Sequence, residues 1–112
     1  MKTYGQMKRI PRIAGIYKIE FPTIGCIFTN GEYRIINLKE LFHNLKVDEG
    51  QFGYELLTNI DLFNSIEVKN NTLSWNNLSL NVELPSGGFK NLPFEMDPIS
   101  VYNFSKPDAL RH

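Results

Sequence analysis

The chain has 112 residues, of which 42% are hydrophobic and 12% aromatic, enough for one folded domain and too many for an intrinsically disordered chain. Twelve Lys and Arg residues balance twelve Asp and Glu residues, so the formal net charge of zero provides no general attraction to nucleic acid or to an anionic membrane. The single cysteine, Cys26, has no internal disulfide partner, and no apolar run is long enough to span a bilayer, so we expect a soluble cytoplasmic protein.

The first segment, residues 1–12, is basic and contains no acidic residue; it carries Lys2, Lys8, Arg9 and Arg12. The simpler interpretation is a solvated N-terminal arm, since chain termini are usually loose. The alternative is an arm that contacts phosphate groups or an acidic partner, with Lys8, Arg9 and Arg12 as candidate interaction residues. These four charges do not form a recognised nucleic-acid-binding module.

Two strands and a hairpin are predicted next. Residues 13–21 have the composition of a strand, and Pro22 and Thr23 predict a turn into a second strand. Asn30 and Gly31 then mark a two-residue hairpin turn, because these residues best tolerate the positive φ that such a turn requires. The turn fixes the register of the hairpin and therefore its buried face. The predicted members of that face are Phe28 opposite Tyr33 and Cys26 opposite Ile35.

Two short helices are predicted in the middle of the chain. The side chain of Asn37 can accept a hydrogen bond from the first free amides of a helix, and Glu40 completes a pattern similar to a capping box. Apolar residues follow at helical spacing, namely Leu38, Leu41, Phe42 and Leu45. A second, briefer helix is predicted to begin at Thr58 or Asn59 and to run through Phe63. We expect the first helix to cover the apolar face of the hairpin.

A second hairpin is centred on Asn70 and Asn71, again with a two-residue turn. Its predicted apolar face consists of Val68 opposite Leu73 and Ile66 opposite Trp75. Both hairpins thus have one apolar and one polar side. This agreement predicts an antiparallel sheet with one covered face.

The last third of the chain contains one clear strand. Residues 78–84 alternate apolar and polar side chains, and residues 85–88 interrupt the strand with a Gly-rich loop. Residues 94–104 are predicted to return as a short extended or helical segment. Residues 105–112 are predicted to be a solvated C-terminal tail.

Two aromatic residues of this region, Phe89 and Phe94, are candidate anchors for a partner protein. Aromatic side chains on loops are typical hot spots of binding when a partner orders them. The alternative is that both rings pack back onto the sheet.

The sequence offers no convincing catalytic, cofactor or metal site. His43 is expected to interact with the end of the first helix, and Cys26 to be a small buried hydrophobic residue. Asp48 and Glu49 lie in a predicted turn, where exposure to solvent and helix capping account for the presence of two carboxylates. The glycines of residues 86–90 lack the spacing of a phosphate-binding loop. We therefore predict a protein that is not an enzyme and needs neither cofactor nor metal.

The order of these elements resembles the bacterial domain-of-unknown-function family 2442. The resemblance covers about residues 13–102. Its motifs are Phe28-x-Asn30-Gly31-Glu32, Asn37-Leu38-x-x-Leu41-Phe42, Phe63, Ile66-x-Val68, Thr72-Leu73-Ser74-Trp75 and Asp97-Pro98-Ile99-x-Val101-Tyr102, with a segment at 52–56. Residues 76–95 depart from the family pattern, in which a Gly-containing turn follows the Trp more directly.

The resemblance implies a small α+β domain without an assigned activity. Members of the family are sometimes joined to a helix-turn-helix DNA-binding domain. Others are encoded beside another small protein in an arrangement similar to a toxin–antitoxin pair. The resemblance therefore favours a protein that binds a partner.

Together these observations predict one α+β domain over residues 13–104, with an antiparallel sheet built from two hairpins and added strands and with one or two short helices on one face. The favoured function is a non-enzymatic protein-interaction module, either antitoxin-like or a regulatory partner of a small protein. A partner, or a second copy of the chain, would add a strand at a sheet edge in residues 13–21 or 78–84. The alternatives are a nucleic-acid-linked transcriptional regulator that uses the basic arm, and a small enzyme built around His43.

Overall fold

Residues 10–111 are the part of the chain that the computed structural model describes. The strands are β1 (Ile13–Glu20), β2 (Thr23–Phe28), β3 (Tyr33–Asn37), β4 (Glu67–Lys69), β5 (Thr72–Glu83), β6 (Phe89–Glu95) and β7 (Lys106–Pro107). The helices are α1 (Leu38–Leu45), α2 (Ile60–Asn64) and α3 (Pro98–Phe104), and a 3₁₀ turn covers Tyr54–Leu57. The candidate residues Lys8 and Arg9 lie outside the described residues. Within residues 10–111, no helix is long and apolar enough to cross a membrane.

The strands form two antiparallel sheets, with the orders β1-β2-β3-β7 and β4-β5-β6. The α+β class and the single core are confirmed, and the two predicted hairpins lie in different sheets rather than side by side in one. Ile13 connects the sheets, because its N–H donates to the carbonyl of Asn71 at 3.0 Å and its carbonyl accepts from the Asn71 side chain at 3.2 Å. The largest fully buried side chains of the common core are those of Trp75, Phe28, Phe42 and Phe63.

The predicted register of the first hairpin is wrong by one residue. The observed pairs are Ile27 with Tyr33, Cys26 with Arg34 and Gly25 with Ile35. The loop has three residues rather than two. The N–H of Gly31 (φ 89°) donates to the carbonyl of Phe28, and the N–H of Phe28 donates to the backbone carbonyl of Glu32. A one-residue shift turns each side chain to the other face, so Tyr33 and Ile35 lie on the face opposite to Phe28.

The helices follow the sequence prediction closely. Helix α1 has the predicted bounds, and the side-chain oxygen of Asn37 accepts the N–H of Glu40 at 3.2 Å. Leu45 is the exception on its apolar face, because it is 39% exposed. Of the two predicted caps for α2, Asn59 is the observed one, and it accepts the N–H of Leu62 at 3.1 Å.

The second hairpin has the predicted two-residue turn, with Asn70 at φ 55° and Asn71 at φ 58°. The observed pairs are Lys69 with Thr72, Val68 with Leu73 and Glu67 with Ser74. Its polar face is not solvated as expected, because Thr72 and Ser74 are both buried. The hydroxyl of Thr72 donates to the carbonyl of Met96 at 2.8 Å, which ties the hairpin to the end of β6.

The C-terminal region resolves one open alternative and corrects one prediction. The segment after β6 is helical, and the carboxylate of Asp97 caps α3 by accepting the N–H of Ser100. A solvated tail at residues 105–112 is wrong for residues 105–108, whereas Ala109 and Leu110 are exposed as predicted. Lys106–Pro107 pairs with the open edge of β3, the N–H of Asp108 donates to the carbonyl of Tyr33 at 2.9 Å, and the Asp108 side chain is buried.

Candidate interaction site

Strand β5 extends far beyond its short neighbour β4. Strand β4 pairs with only the first three residues of β5, so from Ser79 to Glu83 the described residues offer β5 one neighbouring strand, β6. The register between β5 and β6 shifts between Trp75 and Ser79. This irregularity separates the first residues of β5, which pack in the core of the domain, from the residues after it, which extend away from the core. We call residues 79–93 the hairpin arm.

A three-residue loop closes the hairpin arm, in the Gly-rich segment where the sequence predicts a loop. The N–H of Gly87 (φ 92°) donates to the carbonyl of Leu84, and the N–H of Leu84 donates to the carbonyl of Gly88, both at 2.9 Å. This is the same loop type as in the first hairpin, with Gly at the position of positive φ. The loop fixes the register of the arm and therefore which side chains share a face.

One face of the hairpin arm is apolar. Leu80 lies opposite Leu92, and Val82 and Leu84 follow on the same side of β5. Leu80 is 48% exposed and Leu92 is 40% exposed, whereas Val82 and Leu84 are half-buried. We call these four residues the apolar strip. The same face also carries Lys90, opposite Val82.

An aromatic cluster anchors the base of the arm in the core. The ring centroid of Phe94 lies 5.3 Å from that of Phe52, 5.8 Å from Trp75 and 6.3 Å from Phe42. Gly53 permits this packing, because a Cβ atom at that position would lie 2.6 Å from the Phe94 ring. The arm is thus continuous with the core at one end and exposed at the other.

The structure separates the residues that the sequence proposed as interaction anchors. Phe89 is 71% exposed, but it lies opposite Glu83 on the face of the arm away from the apolar strip. Phe94 is partly buried and packs back against the core, which is the alternative that the sequence left open. Arg12 lies beside the first hairpin, where its N–H donates to the hydroxyl of Thr29 at 3.0 Å and its carbonyl accepts the Thr29 N–H at 2.8 Å.

The hydrogen-bond pattern shows which backbone groups of the arm face outward. Leu84 and Gly88 form a hydrogen-bonded pair, and such pairs alternate with non-bonded pairs along an antiparallel ladder. Ser79, Asn81 and Glu83 are therefore at the positions of β5 whose N–H and C=O groups point to the outer edge. All three residues are exposed. We call this row the β5 edge.

The outer edge of β6 is protected and the β5 edge is not. Pro93 lies opposite Ser79 at an outward-facing position of β6, where it has no N–H to offer, and Lys90 adds a charge to that strand. The β5 edge has neither Pro nor Lys, and Glu83 is its one charged residue.

Strand β1, the other edge that the sequence proposed, is less suited to pairing with an added strand. Its pairing with β2 is irregular at two places, between Ile13 and Gly15 and between Ile16 and Lys18. The backbone of Ile13 is already bonded to the turn of the second hairpin. Bulges and charged side chains are features that discourage pairing with another strand.

A cleft beside α1 brings His43 near other polar residues, as the enzyme alternative requires. The cleft of about 220 Å³ is lined by Lys39, Phe42, His43, Val47, Asp48, Glu49, Tyr54 and Leu57. Among the described residues, His43 forms no side-chain hydrogen bond and no group of three metal-ligating side chains exists.

Two polar clusters fasten the C-terminal segment to the first sheet. The hydroxyl of Tyr17 donates to the carboxylate of Asp108, and the guanidinium of Arg111 lies 4.6 Å from the Tyr17 ring centroid. Burial, together with this hydrogen bond, raises the pKa of Tyr17 to about 12, and the same bond lowers the pKa of Asp108. Asp108 and Arg111 also border a cleft of about 340 Å³, but both are engaged with Tyr17. We assign them a structural role.

The second cluster joins α3 to β3. The hydroxyl of Tyr102 donates to Glu32 at 2.6 Å and lowers the pKa of that carboxyl. Arg34 stacks on the Tyr102 ring at 4.7 Å and donates to the hydroxyl of Ser105 at 2.6 Å. The network uses its polar groups internally, so it too is structural.

The single cysteine behaves as a small hydrophobic residue, as the sequence indicates. Cys26 is fully buried, and burial raises the pKa of its thiol to about 12. The thiolate, which is the reactive form, is therefore strongly disfavoured.

Comparison of the chain with models of known protein families, with curated proteins and with solved structures gives no match. The fold and the site define the class as a small α+β domain with two antiparallel sheets and a hairpin arm that carries an apolar face. The resemblance to family 2442 stays a prediction.

Proposed function

We propose that this protein is a non-enzymatic interaction module that binds a protein partner through the hairpin arm. The observation that carries the proposal is the coincidence, on one strand, of an exposed apolar face and a backbone edge with which no strand of residues 10–111 pairs. Large exposed hydrophobic side chains that lie together mark interaction sites more often than scattered ones do. Leu80 and Leu92 are opposite one another, and both are more than one-third exposed.

Strand addition is the mode of binding that this geometry supports. A partner strand beside β5 would bond to the outward-facing backbone of Ser79, Asn81 and Glu83, and main-chain hydrogen bonds supply affinity in this mode. Every second side chain of the added strand would point to the apolar face of the arm and extend the apolar strip. The contacts of these side chains would supply the specificity of binding. The β5 edge is favoured over β1 because β1 has two irregularities and a bonded end.

The proposed setting is the cytoplasm, where a protein with one buried, unpaired cysteine needs no oxidising compartment. A small protein encoded beside this chain is a suitable first partner to test, because the resemblance to family 2442 implies such an arrangement.

The test is affinity purification of the tagged full chain from its native host, followed by identification of the captured protein and titration of the two purified proteins. Asn81 and Asn91 are direct partners across the arm, and both point their N–H groups to an outer edge. They form a matched pair for substitution. Asn81→Pro removes a donor from the β5 edge, whereas Asn91→Pro removes one from the protected edge of β6.

We expect Asn81→Pro to weaken binding of the purified partner by about tenfold or more, because it removes a main-chain hydrogen bond and places a ring at the contact. Asn91→Pro should leave binding unchanged. Equal effects of the two variants, or a partner that binds with undiminished affinity to both, would exclude the β5 edge as the binding site.

A further inference from the structure

We propose that the partner of the β5 edge is a second copy of this chain, which pairs antiparallel with the first copy across a two-fold axis at Asn81. The inference rests on the proposed function, because it uses the same edge, and it names the occupant. An isologous contact of this kind requires a surface that is complementary to itself. The β5 edge meets that requirement in its backbone, its apolar side chains and its charges.

The backbone requirement is met because the outward-facing residues are alternate ones. In an antiparallel pair centred on Asn81, Ser79 lies opposite Glu83 of the second copy, and Asn81 lies opposite its own equivalent. Each residue then meets another whose N–H and C=O groups also point outward, so every pair can exchange two hydrogen bonds. Six main-chain hydrogen bonds follow for the three pairs, from two bonds per pair.

The apolar requirement is met in the same register. With Asn81 on the axis, Leu80 lies opposite Val82 of the second copy, and Val82 lies opposite Leu80 of the second copy. All of these side chains then fall on the face that carries the apolar strip. A shift of one residue would place each leucine opposite a polar residue and would turn the two strips to opposite faces of the joined sheet.

The charges favour an antiparallel arrangement of two identical chains. Glu83 lies opposite Ser79, whose hydroxyl can donate to the carboxylate. The two Glu83 side chains are then separated by four residues along the strands, about 13 Å, which exceeds the Debye length of about 8 Å at physiological ionic strength. A parallel arrangement in register would place them side by side at about 4.8 Å. The formal net charge of zero adds no long-range repulsion between copies.

Sedimentation equilibrium of the full chain over a wide concentration range tests the inference, with the matched proline variants as controls. We expect the wild-type chain to form dimers, Asn81→Pro to weaken dimerisation by about tenfold or more, and Asn91→Pro to leave it unchanged. If Asn81→Pro fails to fold, Asn81→Lys serves instead, since it places two like charges at the axis, and Asn91→Lys is its control. A chain that stays monomeric at all concentrations, or equal effects of the paired variants, would overturn the inference.

A charge exchange tests the register itself. Ser79→Glu places two carboxylates opposite one another in the proposed pairing and should weaken the dimer, whereas adding Glu83→Lys to that variant creates two opposite-charge pairs and should restore it. Failure of the second substitution to restore dimerisation would exclude pairing about Asn81.

The two proposals remain distinguishable. A monomeric chain that still captures a different protein through the β5 edge would refute self-association and support the proposed function. A chain that neither dimerises nor captures a partner through this edge would refute both.

Discussion

Substitution of Gly53 by alanine probes the anchor that holds the hairpin arm to the body. Gly53 has a φ of 104°, and an added Cβ would lie 2.6 Å from the ring of Phe94. Positive φ costs a residue other than glycine about 1–2 kcal/mol, and overpacking in a filled core costs about 1–3 kcal/mol. The expected loss is thus about 2–5 kcal/mol of the free energy of unfolding. This is a large part of the about 5–15 kcal/mol that stabilises a typical domain.

A matched control separates the two contributions. Gly50 has a φ of 91°, close to that of Gly53, and a Cβ there would meet nothing within 4 Å. Gly50→Ala should therefore lose only the backbone contribution of about 1–2 kcal/mol. The difference between the two variants measures the contact with Phe94.

Urea unfolding is the suitable assay, followed by the fluorescence of Trp75, which is the only tryptophan and is fully buried. With a slope of about 1–3 kcal/mol/M, the two midpoints should differ by about 1 M. In a Phe94→Ala background, Gly53→Ala should cost no more than Gly50→Ala. Equal midpoints for Gly53→Ala and Gly50→Ala in the wild-type background would refute the anchoring role of Phe94.

Three further predictions concern the body of the domain. The buried hydroxyl of Ser74 has no hydrogen-bond partner among the described residues, so Ser74→Ala should raise the free energy of unfolding by about 1 kcal/mol. Thr72→Val should lower the free energy of unfolding by about the same amount, because the hydrogen bond to the carbonyl of Met96 is lost. Urea titration of both variants measures the two changes. Asn71→Gly should lower the thermal midpoint by a few degrees, because it removes the side-chain hydrogen bond to the carbonyl of Ile13, while Asn already tolerates the observed φ of 58°; an unchanged or higher midpoint would contradict this. The hydrogen bond from Tyr17 lowers the folded-state pKa of Asp108, so its contribution to stability is present above the unfolded-state pKa and is lost as the pH falls through the lowered pKa. Unfolding measured from pH 7 down to about pH 3 should therefore show a weaker acid dependence for Tyr17→Phe than for the wild type, and identical slopes would exclude this coupling.

The two hairpins show how far local sequence determines register. Asn70 and Asn71 both adopt positive φ, as a two-residue turn requires, and the predicted pair of Val68 with Leu73 is observed. At the first hairpin only Gly31 has positive φ, and the loop takes one more residue. Both loop types accept Asn followed by Gly, so the sequence alone could not select between them.

Long-range contacts explain the remaining differences. The pairing of Lys106 with β3 and the hydrogen bond between Tyr17 and Asp108 join residues that are distant in sequence. No local sequence pattern predicts these contacts. The alternation in residues 78–84 did predict the strand that forms the candidate site. Its relation to the body depends on the irregular pairing after Trp75, which separates the hairpin arm from the rest of β5 and which periodicity does not reveal.

Amide hydrogen exchange at increasing protein concentration tests the central claim, pairing at the β5 edge, most directly. The N–H groups of Ser79, Asn81 and Glu83 point outward in the monomer and should exchange rapidly at low concentration. If the β5 edges of two copies pair, these three amides become protected as the concentration rises, while the outward-facing amide of Asn91 on β6 stays unprotected. Exchange at Ser79, Asn81 and Glu83 that remains as fast as at Asn91 at every concentration would contradict the account.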